Sequence, residues 1–233
     1  MPCGSPDTKK IFPPTRESIA TAAKIIKKGG LVAFPTETVY GLGANALDED
    51  AVKKIFEAKG RPQDNPLILH VANMREASKY AEMNDSAELL MQHFWPGPLT
   101  IVLYSLATVP MPTRANLETV ALRVPLNNTA LALIREAGFP IAAPSANKSG
   151  RPSPTNAHAV WDDLGDSVDM IIDGGEPSVG VESTVIDATE GPVSILRPGG
   201  VTREMLSAVV DVDDLGSSSP YRSPGTRHRH YAP

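Results

Sequence analysis

KIFEAKGRPQDNPLILHV, residues 54–71, sets a helical pattern against a strand across a turn that carries two cations. Val52, Ile55 and Phe56 recur at helical spacing behind Asp48, a side chain suited to capping a helix that runs to about Ala58. Gly60 stops that helix, and Pro62 keeps the chain from turning helical again before LILHV, residues 67–71. In that strand Ile68 and His70 share one face, while Leu67, Leu69 and Val71 share the other. A helix, a stiff turn and a buried strand make one α/β unit, with Lys59 and Arg61 at the joint.

The same alternation continues outward in both directions. Residues 16–28 read as a helix with Ile19, Ala22, Ala23 and Ile26 inward and Gly29-Gly30 as the stop. LVAF (31–34) reads as a short buried strand that enters the loop PTETVYGLGANA. Two short helical stretches up to His93 precede FWPGPLT, a stiff turn into the strand TIVLY, and VALRV (120–124) is another strand. Asn127 or Asn128 caps a helix ending at Gly138, after which PIAAP leads into the loop SANKSGRPSPTN. DMIID, STVID and VSILR read as three strands, and a helix lies near 202–209. Helix–strand alternation followed by a strand-rich half predicts an α/β fold on a twisted, open mixed sheet. The expected divisions are a loose N-terminus over 1–15, one domain over 16–210 and a separate segment over 211–233.

Bulk composition narrows the function classes. Hydrophobic residues make up 41% and charged residues 21% of the 233-residue chain, ordinary values for a soluble globular protein. The net charge of −5 argues against a general nucleic-acid or membrane-surface binder, which needs a basic excess, but leaves room for a local basic pocket. A single cysteine, Cys3, excludes a disulfide framework and a cysteine metal cluster, and no apolar leader or span is visible. A cytoplasmic location is expected. Glycine (18) and proline (22) exceed the usual share yet are spread between periodic segments, the pattern of short elements joined by shaped loops.

Familiar catalytic signatures are missing. GLGANA has Ala46 where a dinucleotide fingerprint needs its third glycine, ANKSG lacks the glycine frame of a P-loop, and no zinc spacing or nucleophile elbow occurs. What remains is polar residues in strands and tight loops. Lys59 and Arg61 have two readings: cations complementing a helix C-terminus, or a point charge and a fork aimed at a polyphosphate. His70 is either a structural histidine or a site residue, and Ser145 and Asn147 of SAN either cap a helix or bind a ligand at a strand end. Arg123 and Arg197 sit in apolar strands with no acid beside them, so a bound carboxylate or phosphate is the expected partner. The tail GSSSPYRSPGTRHRHYAP, with three arginines and two histidines, reads as a disordered basic end or as the start of a further segment.

PTETVYGLG, KGRPQDNPLILHV, WPGPLT, VALRVP, APSANKSG, GVESTVID and ILRPG, in this order over about residues 16–210, resemble the threonylcarbamoyl-AMP synthase family, the YrdC-like proteins. SPGTRHRHYAP resembles the interdomain linker of the longer branch, whose C-terminal domain would then be absent. The resemblance implies helices around a large basic cavity in the sheet. It also implies a reaction of L-threonine, bicarbonate and ATP, with Mg²⁺ carried by the nucleotide and no dedicated metal site. A downstream transferase would pass the product to tRNA, which itself would bind indirectly or weakly, and no membrane is involved. By matching motifs, Lys59 and Arg61 become the catalytic triphosphate clamp, and Asn65, Thr119, Ser145, Asn147, Ser153, Arg197 and Tyr231 fall at ATP contacts. Thr38, His70, Arg123 and Ser183 fall at threonine contacts; Ala143 departs from relatives that carry a hydroxyl there. Two other readings are a double-stranded RNA-binding module and a carbamoyl-adenylate-forming relative of the hydrogenase-maturation type.

Overall fold

The computed structural model describes residues 10–213. Ten strands form one mixed sheet, in the order β1-β8-β2-β3-β7-β4-β6-β5-β9-β10. In chain order these are β1 (Ile11–Phe12), β2 (Val32–Phe34), β3 (Gly41–Asn45), β4 (Ile68–His70), β5 (Leu99–Tyr104), β6 (Thr119–Arg123), β7 (Ile141–Ala142), β8 (Met170–Ile172), β9 (Thr184–Asp187) and β10 (Ser194–Arg197). The helices are α1 (Arg16–Lys27), α2 (Glu49–Lys59), α3 (Met74–Ala77), α4 (Asp85–Phe94), α5 (Asn128–Ala137), α6 (Ala157–Leu164) and α7 (Arg203–Ser207). Among the described residues no helix is long and apolar enough to cross a membrane.

Local chemistry sets the boundaries that matter for the site. The Asp48 carboxylate accepts from the backbone N–H groups of Asp50 and Ala51, which starts α2, and Gly60 ends it in the left-handed region at φ 61. Asn127 caps α5 in the same way, and Gly138 closes it.

Three elements depart from the sequence reading. The stretch PTETVYGLGANA is not wholly loop, because Gly41, Leu42 and Gly43 pair antiparallel with β2, and Ala44 and Asn45 with β7. Glycine is needed there: a Cβ at Gly43 would stand 2.7 Å from Phe34 Cε1 and 2.9 Å from Ile141 Cγ2. Helix α6 was unanticipated, and Ile11–Phe12 pair with β8 inside the stretch expected to be loose.

The sheet's two faces are covered unequally. Leu67, Leu69 and Leu122 belong to the large core cluster, which also takes in Val52 and Ile55 of α2 and Leu90 of α4. On the other face a second cluster joins Ala22 and Ile26 of α1 to Leu133 and Ile134 of α5, over Val32, Phe34 and Ile141. Beyond it, Ile68, Val102, Ala121 and Val185 form only a small cluster. The candidate site lies along that thinly covered region.

Candidate active site

Strand pairing builds the floor of the site. Strands β4 and β6 run parallel with His70 opposite Arg123, so the last residues of both strands stand side by side. An isolated bridge joins Gly41 to Ser145 and brings the SAN loop beside the start of β3. Strand β9 runs parallel to β5 with Thr184 opposite Leu99, which sets Ser183 at the mouth of the sheet.

A cavity opens there, lined by Thr38, Arg61, His70, Arg123, Ser145, Ser183 and Arg197 among the expected residues, together with Thr36, Ala143 and Glu182. Lys59, Asn65, Thr119, Asn147 and Ser153 lie off this wall. Of these, Lys59 stands directly behind it: Nζ donates to the backbone carbonyls of Ser145 and Asn147. Thr119 begins β6, four residues before Arg123, and so lies at the far end of that strand. Tyr231 is outside the described residues.

The three cavity arginines are in different states. Arg61 is buried, and its Nε and Nη2 have no hydrogen-bond partner among the described residues. Arg123 donates from Nε to Gly97 O at 3.2 Å and from Nη2 to Thr38 Oγ1 at 3.0 Å. Its Nη2 also lies 2.7 Å from Glu37 Oε1, with both side chains buried. Among the described residues neither Glu37 oxygen accepts a hydrogen bond, so this contact is one of charge rather than of aligned donor and acceptor. Arg197 donates to Ser183 O at 2.9 Å, and its Nη1 lies 2.6 Å from Glu182 Oε2. The expectation that a bound carboxylate or phosphate partners Arg123 and Arg197 is thereby amended: Glu37 and Glu182 pair with them from elsewhere in the chain. Both acids were missed, although each directly precedes an expected site hydroxyl, Thr38 and Ser183.

Burial shapes the protonation of the site. It pushes the Lys59 ammonium down to about 7, and Arg61 pushes the same way. Burial brings the Arg61 guanidinium to about 10. His70 is held neutral, at about 3, chiefly by burial and then by Arg123, and its Nδ1 has no hydrogen-bond partner among the described residues. Its ring meets Phe34 edge-on at 6.3 Å.

The folded His70 takes up a proton only near pH 3, whereas the unfolded chain takes it up near 6.5. Between those values the unfolded state holds more protons, so falling pH favours unfolding. Denaturant melts across this window should show that His70→Gln loses less stability on acidification than the wild type. Parallel curves would mean that His70 carries no such linkage.

The Sua5–YciO–YrdC family model, with the description "Telomere recombination", matches residues 24–199. A threonylcarbamoyl-AMP synthase of Pyrococcus abyssi (strain GE5 / Orsay) is 53% identical over 222 residues, covering 92% of this chain and 65% of that relative. One of Bacillus subtilis (strain 168) is 50% identical, covering 92% of this chain and 64% of that relative. The chain thus spans less than two thirds of the length of these two relatives. The crystal structure of P. abyssi Sua5 complexed with L-threonine matches with a TM-score of 0.88 at 51% identity, over 96% of this chain and 68% of that one. The match in sequence and the match in fold lead to one conclusion: this chain belongs to the Sua5–YciO–YrdC family.

Proposed function

We propose that the chain acts as a threonylcarbamoyl-AMP synthase, a nucleotidyltransferase that converts L-threonine, bicarbonate and ATP to L-threonylcarbamoyl-adenylate and pyrophosphate. The observation that carries the reading is Arg61, a buried guanidinium on the cavity wall whose Nε and Nη2 have no hydrogen-bond partner among the described residues. A buried donor left unsatisfied is expensive, and an anion such as a phosphate supplies what it lacks. The names of the relatives at 53% and 50% identity support the choice of anion.

The chemistry suits a site without a protein nucleophile. The threonine amine and bicarbonate condense to a carbamate with loss of water. One carbamate oxygen then attacks the α-phosphorus of ATP, and the bond to the β-phosphate oxygen breaks to release pyrophosphate. The protein's task is to position the reactants and offset developing negative charge. In this reading Arg61 holds the phosphates, with Lys59 shaping the Ser145–Asn147 backbone beside them. Asn65, Thr119, Ser145, Asn147, Ser153, Arg197 and Tyr231 serve ATP. Thr38, His70, Arg123 and Ser183 hold threonine, with Arg123 facing its carboxylate. A neutral His70 adds no second positive charge there and leaves Nδ1 free for a hydroxyl. Mg²⁺ enters with the nucleotide on phosphate oxygens; among the described residues no cluster of three or more acidic, histidine or cysteine side chains could hold a metal ion. The adenylate passes to a transferase that modifies tRNA, and tRNA meets this chain indirectly or weakly.

Single-omission assays test this reading. Pyrophosphate release should require L-threonine, bicarbonate and ATP together. Serine lacks one methyl and should be poorer by about 10- to 200-fold in kcat/KM. Turnover with carbamoyl phosphate in place of threonine and bicarbonate would refute the assignment.

A further inference from the structure

Glu182 is an acid on the cavity wall, and its two oxygens hold two polar side chains. Oε2 lies 2.6 Å from Arg197 Nη1, and Oε1 accepts from Ser153 Oγ at 2.8 Å. The Arg197 and Glu182 side chains remain 18% and 16% exposed, so this pair is open to exchange, more so than the deeper Glu37–Arg123 pair at 1% and 4%. Arg197 has a second anchor: Nε and Nη2 donate to Ser183 O at 3.3 and 2.9 Å. Its guanidinium can therefore keep its place while Nη1 changes partner. Arg61 faces the same cavity with Nε and Nη2 unpartnered. The cavity thus offers an anion two guanidiniums: Arg61, which feels the Glu182 charge but whose Nε and Nη2 have no hydrogen-bond partner among the described residues, and Arg197, already held by that carboxylate.

We propose that Glu182 is an internal counter-anion that competes with phosphate for Arg197, and that its return to Arg197 helps to expel pyrophosphate. The inference rests on the reading of the cavity as a polyphosphate site. An incoming polyphosphate first meets Arg61, then takes Nη1 of Arg197 from Glu182 at the cost of breaking that pair. The same cost, recovered on departure, keeps the product from lingering. Glu182 therefore lowers affinity for ATP and pyrophosphate while shortening their residence.

Calorimetric titration of magnesium pyrophosphate and of MgATP into wild type and Glu182→Gln tests this, with a thermal melt of each protein. The variant should bind both roughly three- to tenfold more tightly, with slower pyrophosphate dissociation, on the scale of one partly exposed ion pair. Weaker or unchanged binding by the folded variant would overturn the proposal and make Glu182 a support for Arg197. If Gln does not fold, Glu182→Asp keeps the charge but withdraws it from Arg197, and should tighten binding by a smaller factor; weaker or unchanged binding would overturn it equally. A wild-type chain that binds no pyrophosphate would also overturn it. Tightening as expected, in a chain that makes no adenylate from threonine, would leave this inference standing and remove only the assignment of the reaction.

Discussion

Arg61→Ala should lower the rate of pyrophosphate release by roughly 10²–10³, the scale of losing one preorganised charge aimed at a transition state. Its thermal midpoint should move little, because Nε and Nη2 of Arg61 make no hydrogen bond to the described protein. Removing this buried cation also relieves its desolvation and its repulsion with Lys59 and Arg197, which offsets the lost attraction of Glu182. The neighbouring Lys59→Ala should behave differently. Lys59 donates to the carbonyls of Ser145 and Asn147, so its removal leaves two acceptors unpaired and lowers both stability and activity. Steady-state kinetics and melts on the two variants separate the roles. An Arg61→Ala protein that melts much earlier but keeps its turnover per folded molecule would show that Arg61 supports the helix end rather than a ligand.

Arg123→Ala should cost about 3–5 kcal/mol of folding stability, the usual price of leaving one charge of a buried pair uncompensated. Glu37 is the charge left behind: its side chain is 1% exposed and both of its oxygens already lack hydrogen bonds among the described residues. Replacing both partners, as Arg123→Met with Glu37→Gln, should recover at least about half of that loss, because no full charge then remains buried. Urea titrations of the wild type, the single variant and the double variant would show it. A loss below about 1 kcal/mol for Arg123→Ala would mean that solvent or another cation reaches Glu37. In the double variant, recovered stability without recovered threonine binding would separate Arg123's role in the fold from its role at the substrate.

Much of this architecture is legible in the chain. Asp48, Gly60 and the spacing of Val52, Ile55 and Phe56 mark α2 to within a residue, because caps and period act locally. Strand β4 is legible down to its faces: Leu67 and Leu69 enter the main core and Ile68 the small cluster opposite. Strand β3 is not, since GLGAN contains no β-branched residue and glycine weakens a strand. Its glycines answer to Phe34 and Ile141, which only the folded sheet brings near. Helix α6 is eight residues long and follows a proline-rich loop, so Ala157, Val160 and Leu164 give too short a period to stand out. At the site, the cavity lining takes in Thr38, Arg61, His70, Arg123, Ser145, Ser183 and Arg197 of the residues the motifs pick out, but not Lys59, Asn65, Thr119, Asn147 or Ser153, and Tyr231 lies outside the described residues. The partners of the two strand arginines are another matter. Strand order and loop return, not sequence neighbourhood, decide that Glu37 meets Arg123 and Glu182 meets Arg197.

The central claim is that one cavity joins threonine, bicarbonate and ATP into a single adenylate. Mass spectrometry of the reaction with ¹³C-labelled bicarbonate tests it most directly. The account predicts an adenylate containing threonine, heavier by one mass unit than the product made with unlabelled bicarbonate, and appearing together with pyrophosphate. An adenylate that carries no label, or one that forms without threonine, would contradict it.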